Sequence, residues 1–189
     1  LTAISEFGPQ QWIEVIMKNS GAQPLLILAL ITGLMAVGRY FGGDIVHKLD
    51  QTGVLLGSAV LATIGIFLFS TQTGGMVYVA AIFFAMGICY FWPNMIGFVA
   101  EKIPASGALG MSIVGGMGMF SSSIFQPIIG SWIDNSMEAQ SLLGFTGEQL
   151  KLAAGQQTLT YMISFPGILI ILFTILYFWQ KGASRVTTA

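Results

Sequence analysis

Residues 51–100 read QTGVLLGSAVLATIGIFLFSTQTGGMVYVAAIFFAMGICYFWPNMIGFVA and hold no charged side chain. A bilayer's hydrocarbon core is about 30 Å thick and about 20 apolar residues cross it as a helix, so this run is too long for one crossing. Its polar, glycine-containing middle, Ser70-Thr71-Gln72-Thr73-Gly74-Gly75, divides it into spans near 53–69 and 76–99. Outward from there, the uncharged stretch 19–38 opens a span near 24–42, and the uncharged stretch 103–133 gives one near 108–132. A last apolar stretch gives a span near 158–180. Residues 19–189 therefore make five crossings. Residues 1–18 read as the end of a truncated sixth membrane helix, interrupted by Gly8-Pro9, with Trp12, Ile13, Val15 and Ile16 continuing an apolar face. A surface amphipathic helix is the alternative for this segment. Leu1 is not an initiator methionine and the first twenty residues lack signal-peptide order, so the chain is expected to be the later portion of a longer protein.

Composition points to the same class. Charged residues are 8% of the 189, where soluble domains carry about 25%, and 54% are hydrophobic. Mean hydropathy is +0.80. A water-soluble domain of this size has too much surface to hide that apolar share. The net charge of −1 and the lack of a basic cluster argue against nucleic-acid binding. Cys89 and His47 are single, so a disulfide framework, a redox pair or a Cys/His zinc site is not expected within the chain, and neither is a cofactor.

Positive residues orient the spans. Arg39, Lys48, Lys102, Lys181 and Arg185 fall on one side and only Lys18 and Lys151 on the other. The richer side, with the C-terminus, is expected to be cytoplasmic. Residues 134–157 then form an extracytoplasmic loop holding a short helix, with Thr146 and Gln149 as its capping box. Small residues mark packing faces: Gly38 with Gly42, Gly53 with Gly57, and Gly110, Ser112, Gly115, Gly116, Gly118 and Ser121-Ser122-Ser123 in one span. Such faces let backbones approach, which places the glycine-rich span at an interface or beside a cavity.

The stretch Gly38-Arg39-Tyr40-Phe41-Gly42-Gly43-Asp44-Ile45-Val46-His47-Lys48-Leu49, followed by a new span, resembles the cytoplasmic signature loop of major facilitator superfamily transporters, G-G-x-x-x-D-R-x-G-R-R. Gly42-Gly43 match and Lys48 takes the basic position. His47 stands at the acid, Asp50 at the later glycine and Gln51-Thr52 at the basic pair, as in the weaker second-half copy. Tyr90-Phe91-Trp92-Pro93-Asn94, then Glu101-Lys102-Ile103-Pro104 and a glycine-rich span ending Gln126-Pro127-Ile128-Ile129-Gly130-Ser131-Trp132-Ile133-Asp134, is similar to helices ten and eleven of that superfamily. Bacterial sugar–proton symporters of the fucose and glucose/galactose type are the nearest match. The resemblance implies an all-α membrane protein, the C-terminal six-helix bundle of a twelve-helix transporter, running from late helix seven (residues 1–18) through helices eight to twelve. It also implies residence in a bacterial inner membrane and, as partners, the N-terminal half, a small polar solute and a proton.

Polar groups at membrane depth are costly, so each is a candidate for function. Asn94 follows Pro93, which can kink the span, and Tyr90 and Trp92 flank it with stacking faces suited to a sugar. Its alternative role is a bond to a neighbouring helix. Gln126, before Pro127, either binds a solute hydroxyl or satisfies a freed carbonyl. Glu6, Gln10, Gln11 and Trp12 surround the Gly8-Pro9 break, where a carboxylate can contact substrate or take a proton; an exposed surface acid is the other reading. Gly38, Arg39, Gly42, Gly43, Asp44 and Lys48 form the signature-loop set. Arg39 can snorkel at a cytoplasmic helix end and Asp44 can pair with Lys48 four residues on, for topological anchoring or for gating.

Catalysis is not expected. An intramembrane protease needs its base in the membrane, but His47 adjoins Lys48 in a connection, and Asp44, Asp50 and Asp134 lie at span ends. Gly116-Met117-Gly118-Met119-Phe120-Ser121 follows no strand and is no nucleotide loop. The function expected is secondary active transport, a proton-coupled uptake of a sugar or similar solute by alternating access. The alternative is a non-transporting membrane scaffold or assembly module.

Overall fold

The computed structural model describes residues 1–42 and 50–186, with side chains through residue 180. The described residues are helical and without strands. The helices are α1 Thr2–Met17, α2 Pro24–Tyr40, α3 Gln51–Thr71, α4 Met76–Ile88, α5 Phe91–Lys102, a single 3-10 turn Pro104–Ser106, α6 Gly107–Leu142, α7 Gly147–Met162 and α8 Ser164–Val186. Four stretches are long and apolar enough to cross a membrane: Gln51–Thr71, Met76–Lys102, Pro104–Leu142 and Gly147–Gln180. The remaining expected crossing, near 24–42, is the 17-residue α2. At about 1.5 Å per residue it is about 26 Å long.

Prolines account for two breaks, the one before Pro93 where the sequence suggested a kink, while Pro9 and Pro127 lie within unbroken helices. Gly8-Pro9 does not interrupt α1, which runs through it. Gly8 lies flush against α6, where an added methyl would sit 3.2 Å from Ile129 Cδ1, so packing holds the helix across the lost hydrogen bond. Met76–Lys102 is instead a rod broken at Cys89-Tyr90, because Pro93 has no amide hydrogen for the carbonyl of Cys89 four residues before it. Gly147–Gln180 breaks at Ile163, where Pro166 does the same to Met162.

The expected loop 134–157 is mostly helix. α6 continues past the apolar segment because Ile133–Leu142 contains neither Gly nor Pro, and it stops before Gly144, whose φ of +89° suits glycine. Thr146 is the N-cap of α7, yet its side chain makes no capping bond.

α3 is the hub of the bundle, packed on α4, α5, α7 and α8, while α2 lies on α4 and α1 sits against α6 and α7 and reaches α2 and α5. Ile27, Ile31, Ile66, Phe69, Ala80, Phe84 and Ile88 fill the buried centre. The α3–α4 crossing is the tightest. A methyl at Gly65 would lie 2.5 Å from Phe84 Cα, and one at Gly87 would overlap the backbone of Ala62. Gly57, by contrast, has nothing within 4 Å, so Gly57 is not what packs these helices.

α6 has two faces. Gly115 and Gly118 receive Trp92 and Gly130 receives Trp12, while Leu109, Ile113, Met117, Phe120 and Ile124 form an exposed apolar stripe. Ile168, Ile171, Leu172, Ile175 and Phe178 do likewise on α8. Apolar bands of this extent suit hydrocarbon as the solvent.

Candidate functional site

The i, i+4 pairs Glu6/Gln10 on α1 and Met35/Arg39 on α2 meet as two successive rungs. Gln10 Nε2 donates to Met35 Sδ at 3.4 Å and Arg39 Nη2 donates to Glu6 Oε1 at 3.3 Å. The Glu6 side chain is 5% exposed and that of Arg39 39%. It is the sole salt bridge among the described residues.

Arg39 has a second partner. Its Nε donates at 3.1 Å to the carbonyl of Cys89, the acceptor that Pro93 leaves open. Tyr90 Oη donates to the Gly38 carbonyl at 2.8 Å and Cys89 Sγ to the Met35 carbonyl at 3.4 Å. The α4–α5 break is thus pinned to the last turn of α2. Gly38 and Gly42 make room for it: methyl groups there would stand 2.8 Å from Cys89 Sγ and 3.0 Å from Tyr90 Cε1. A cation at this turn also meets the negative end of the α2 dipole.

The pair lies at the last turn of α2. α2 and α4 begin at one end of the bundle, where Gly74 N donates to Ser20 O at 2.6 Å and Gln23 N to Tyr78 Oη at 3.2 Å. Counting about 1.5 Å per residue, Arg39 and Cys89 are each about 20 Å from that end. Between the pair and that end, a groove of about 660 Å³ opens between α1 and α2. Gln10, Gln11, Glu14 and Lys18 supply its polar groups over the apolar walls of Phe7 and Leu28. Two amides, a carboxylate and an ammonium can hydrogen-bond a hydroxylated solute. Gln10 belongs to both the groove and the rung above Glu6.

The expected binding set is divided. Gln10 and Gln11 line this groove, and Glu6 stands one turn before Gln10 on α1, bonded to Arg39. Trp12 and Gln126 are tied to each other: Trp12 Nε1 donates to Gln126 Oε1 at 2.8 Å, and Gln126 Nε2 donates to the Phe7 carbonyl at 3.2 Å. That is a clamp between α1 and α6, not a lining of the groove. Tyr90 is spent on Gly38, and Trp92 is seated on Gly115 and Gly118. Asn94 is buried and its Nδ2 has no partner. Arg39, expected to snorkel or anchor, stands in the last turn of α2 with its side chain 39% exposed and bonds Glu6. Gly43, Asp44 and Lys48 lie outside the described residues. Sequence reading missed Met35, the Cys89 carbonyl and Gln51, another buried amide with an unpartnered atom. For Cys89 the signal was available, four residues before Pro93.

Comparison with family models, with curated proteins and with solved structures gives no match.

Proposed function

We propose that this chain is the C-terminal half of a major facilitator type secondary transporter of twelve helices, which carries a small polar solute, a sugar by preference, together with a proton. The observation that carries the reading is the Glu6–Arg39 ion pair between α1 and α2, its carboxylate 5% exposed and one turn from a groove lined with amides. Ionised groups are costly in the bilayer and mark ion and substrate paths. Gln10 and Gln11 bind solute hydroxyls, and Glu6 carries the proton. Protonation neutralises Glu6 and takes the anion from Arg39, which keeps the Cys89 carbonyl; the α1–α2 rung is then free to open. Rocking against an N-terminal six-helix half opens the groove to each side in turn. The protein resides in a bacterial inner membrane with its C-terminus cytoplasmic, and no bond of the solute is altered.

The test is uptake of radiolabelled D-galactose and L-fucose by proteoliposomes of the full-length protein under an imposed inward proton gradient. Accumulation above equilibrium is expected, abolished by a protonophore. Glu6→Gln is expected to keep downhill exchange and lose accumulation. Failure of the wild type to accumulate these or other polar solutes refutes transport and favours the assembly-module alternative.

A further inference from the structure

Two amides on α3 and α5 are buried, and each lacks one partner. Among the described residues, Asn94, 4% exposed, has no acceptor for its Nδ2, and Gln51, 5% exposed, has no donor to its Oε1. One is an orphan donor and the other an orphan acceptor. They sit on adjoining elements, since α3 packs on α5. A methyl at Gly97 would stand 3.3 Å from Gln51 Nε2, and Gly97 is three residues from Asn94 on the same face of α5. The backbone ahead of Gln51 is strained as well: Asp50 has a φ of +59°, left-handed for a non-glycine residue. Such strain persists where surrounding structure enforces it, and it gathers at functional positions.

Buried polar atoms in a membrane bundle find internal partners as a rule, because lipid offers none. Here the freed carbonyl of the same α4–α5 break is already served by Arg39, so Asn94 is not needed there. We infer that Gln51 is a ligand-binding residue acting with Asn94, and that the pair grips a neutral group able both to accept and to donate a hydrogen bond, a hydroxyl or a primary carboxamide. Asn94 Nδ2 donates to the ligand oxygen and the ligand hydrogen goes to Gln51 Oε1. A carboxylate or a phosphate dianion has no hydrogen for Gln51, and an ammonium has no acceptor for Asn94. The inference rests on the transport reading for the class of solute and adds a contact on α3 and α5 apart from the α1–α2 groove, where binding is measurable without transport.

The experiment follows thermal unfolding of the full-length protein in detergent, with and without D-galactose, acetamide or acetate, the last of which should give no gain because it has no hydrogen for Gln51. Wild type is expected to gain Tm with D-galactose or acetamide. Gln51→Met and Asn94→Leu each remove an unmet polar atom, so each should raise the ligand-free Tm, by about 2–4 °C, and lose the ligand-induced gain. Gly97→Ala, which crowds the Gln51 amide and leaves both amides in place, should shrink that gain and carries the test if Asn94→Leu does not fold. No stabilisation of wild type by either neutral probe overturns the inference. So does a ligand-induced gain that survives in Gln51→Met, or a fall in that variant's ligand-free Tm. Uptake that fails while these shifts hold refutes transport alone; uptake that persists while they vanish refutes the pair alone.

Discussion

A guanidinium presents five N–H donors in a planar fork, and Arg39 divides them between a carboxylate on α1 and a carbonyl at the α4–α5 break. Removing it leaves Glu6 a buried carboxylate without its counter-ion. Breaking a fully buried pair costs about 3–5 kcal/mol. Arg39 is partly exposed, so Arg39→Ala is expected to cost about 2 kcal/mol after discounting for solvent screening. Adding Glu6→Gln should restore much of that loss, and unfolding of the single and double variants in detergent measures it. A double variant no more stable than Arg39→Ala would show that the two side chains do not interact. Sequence marked both residues as notable but could not join them, because 33 positions separate them and only the antiparallel register of α1 and α2 makes them a rung. The Trp12–Gln126 bond hides in the same way, across 114 positions.

At the level of elements, the α3–α4 contact makes a sharp contrast between glycines. Gly87→Ala puts a methyl into the backbone of Ala62 and should cost at least about 2–3 kcal/mol, the upper range for overpacking. Gly57→Ala meets nothing within 4 Å and should be neutral or stabilise by about 0.5–1 kcal/mol through helix propensity. Equal losses of Tm in the two variants would contradict this crossing. Spacing within one helix did not separate the cases, since it says nothing of which face a neighbour takes. Spans were legible from the positions of charge, whereas their ends were not: membrane exit and helix end are different events, and α6 continues to Leu142 although its apolar segment closes at Ile133. The breaks at Cys89-Tyr90 and Ile163 could be read, each before a proline; the unbroken α1 could not, because Ile129 of α6 supports it.

For the molecule as a whole, membrane character was written in the composition and returns as the exposed stripes of α6 and α8. The division of the binding residues was not, because it depends on which of several polar side chains bond one another first. The orientation proposed above is open to a labelling experiment in a Cys89→Ser background. In intact cells a membrane-impermeant maleimide should modify Ser141→Cys, in the last turn of α6, and spare Glu101→Cys; the opposite pattern would invert the topology. At the end where the connections 18–23 and 72–75 meet, Gly74 is bonded to Ser20, Gln23 to Tyr78 and Gln156 to Gln72, so three pairs of helices share a fulcrum. Any separation of α1 from α2 must therefore fan outward from that edge. With a lever arm of about 20 Å, a tilt of about 5° shifts the Glu6–Arg39 rung by about 1.7 Å, enough to pull its bonded atoms beyond hydrogen-bond distance, while the stitched edge scarcely moves.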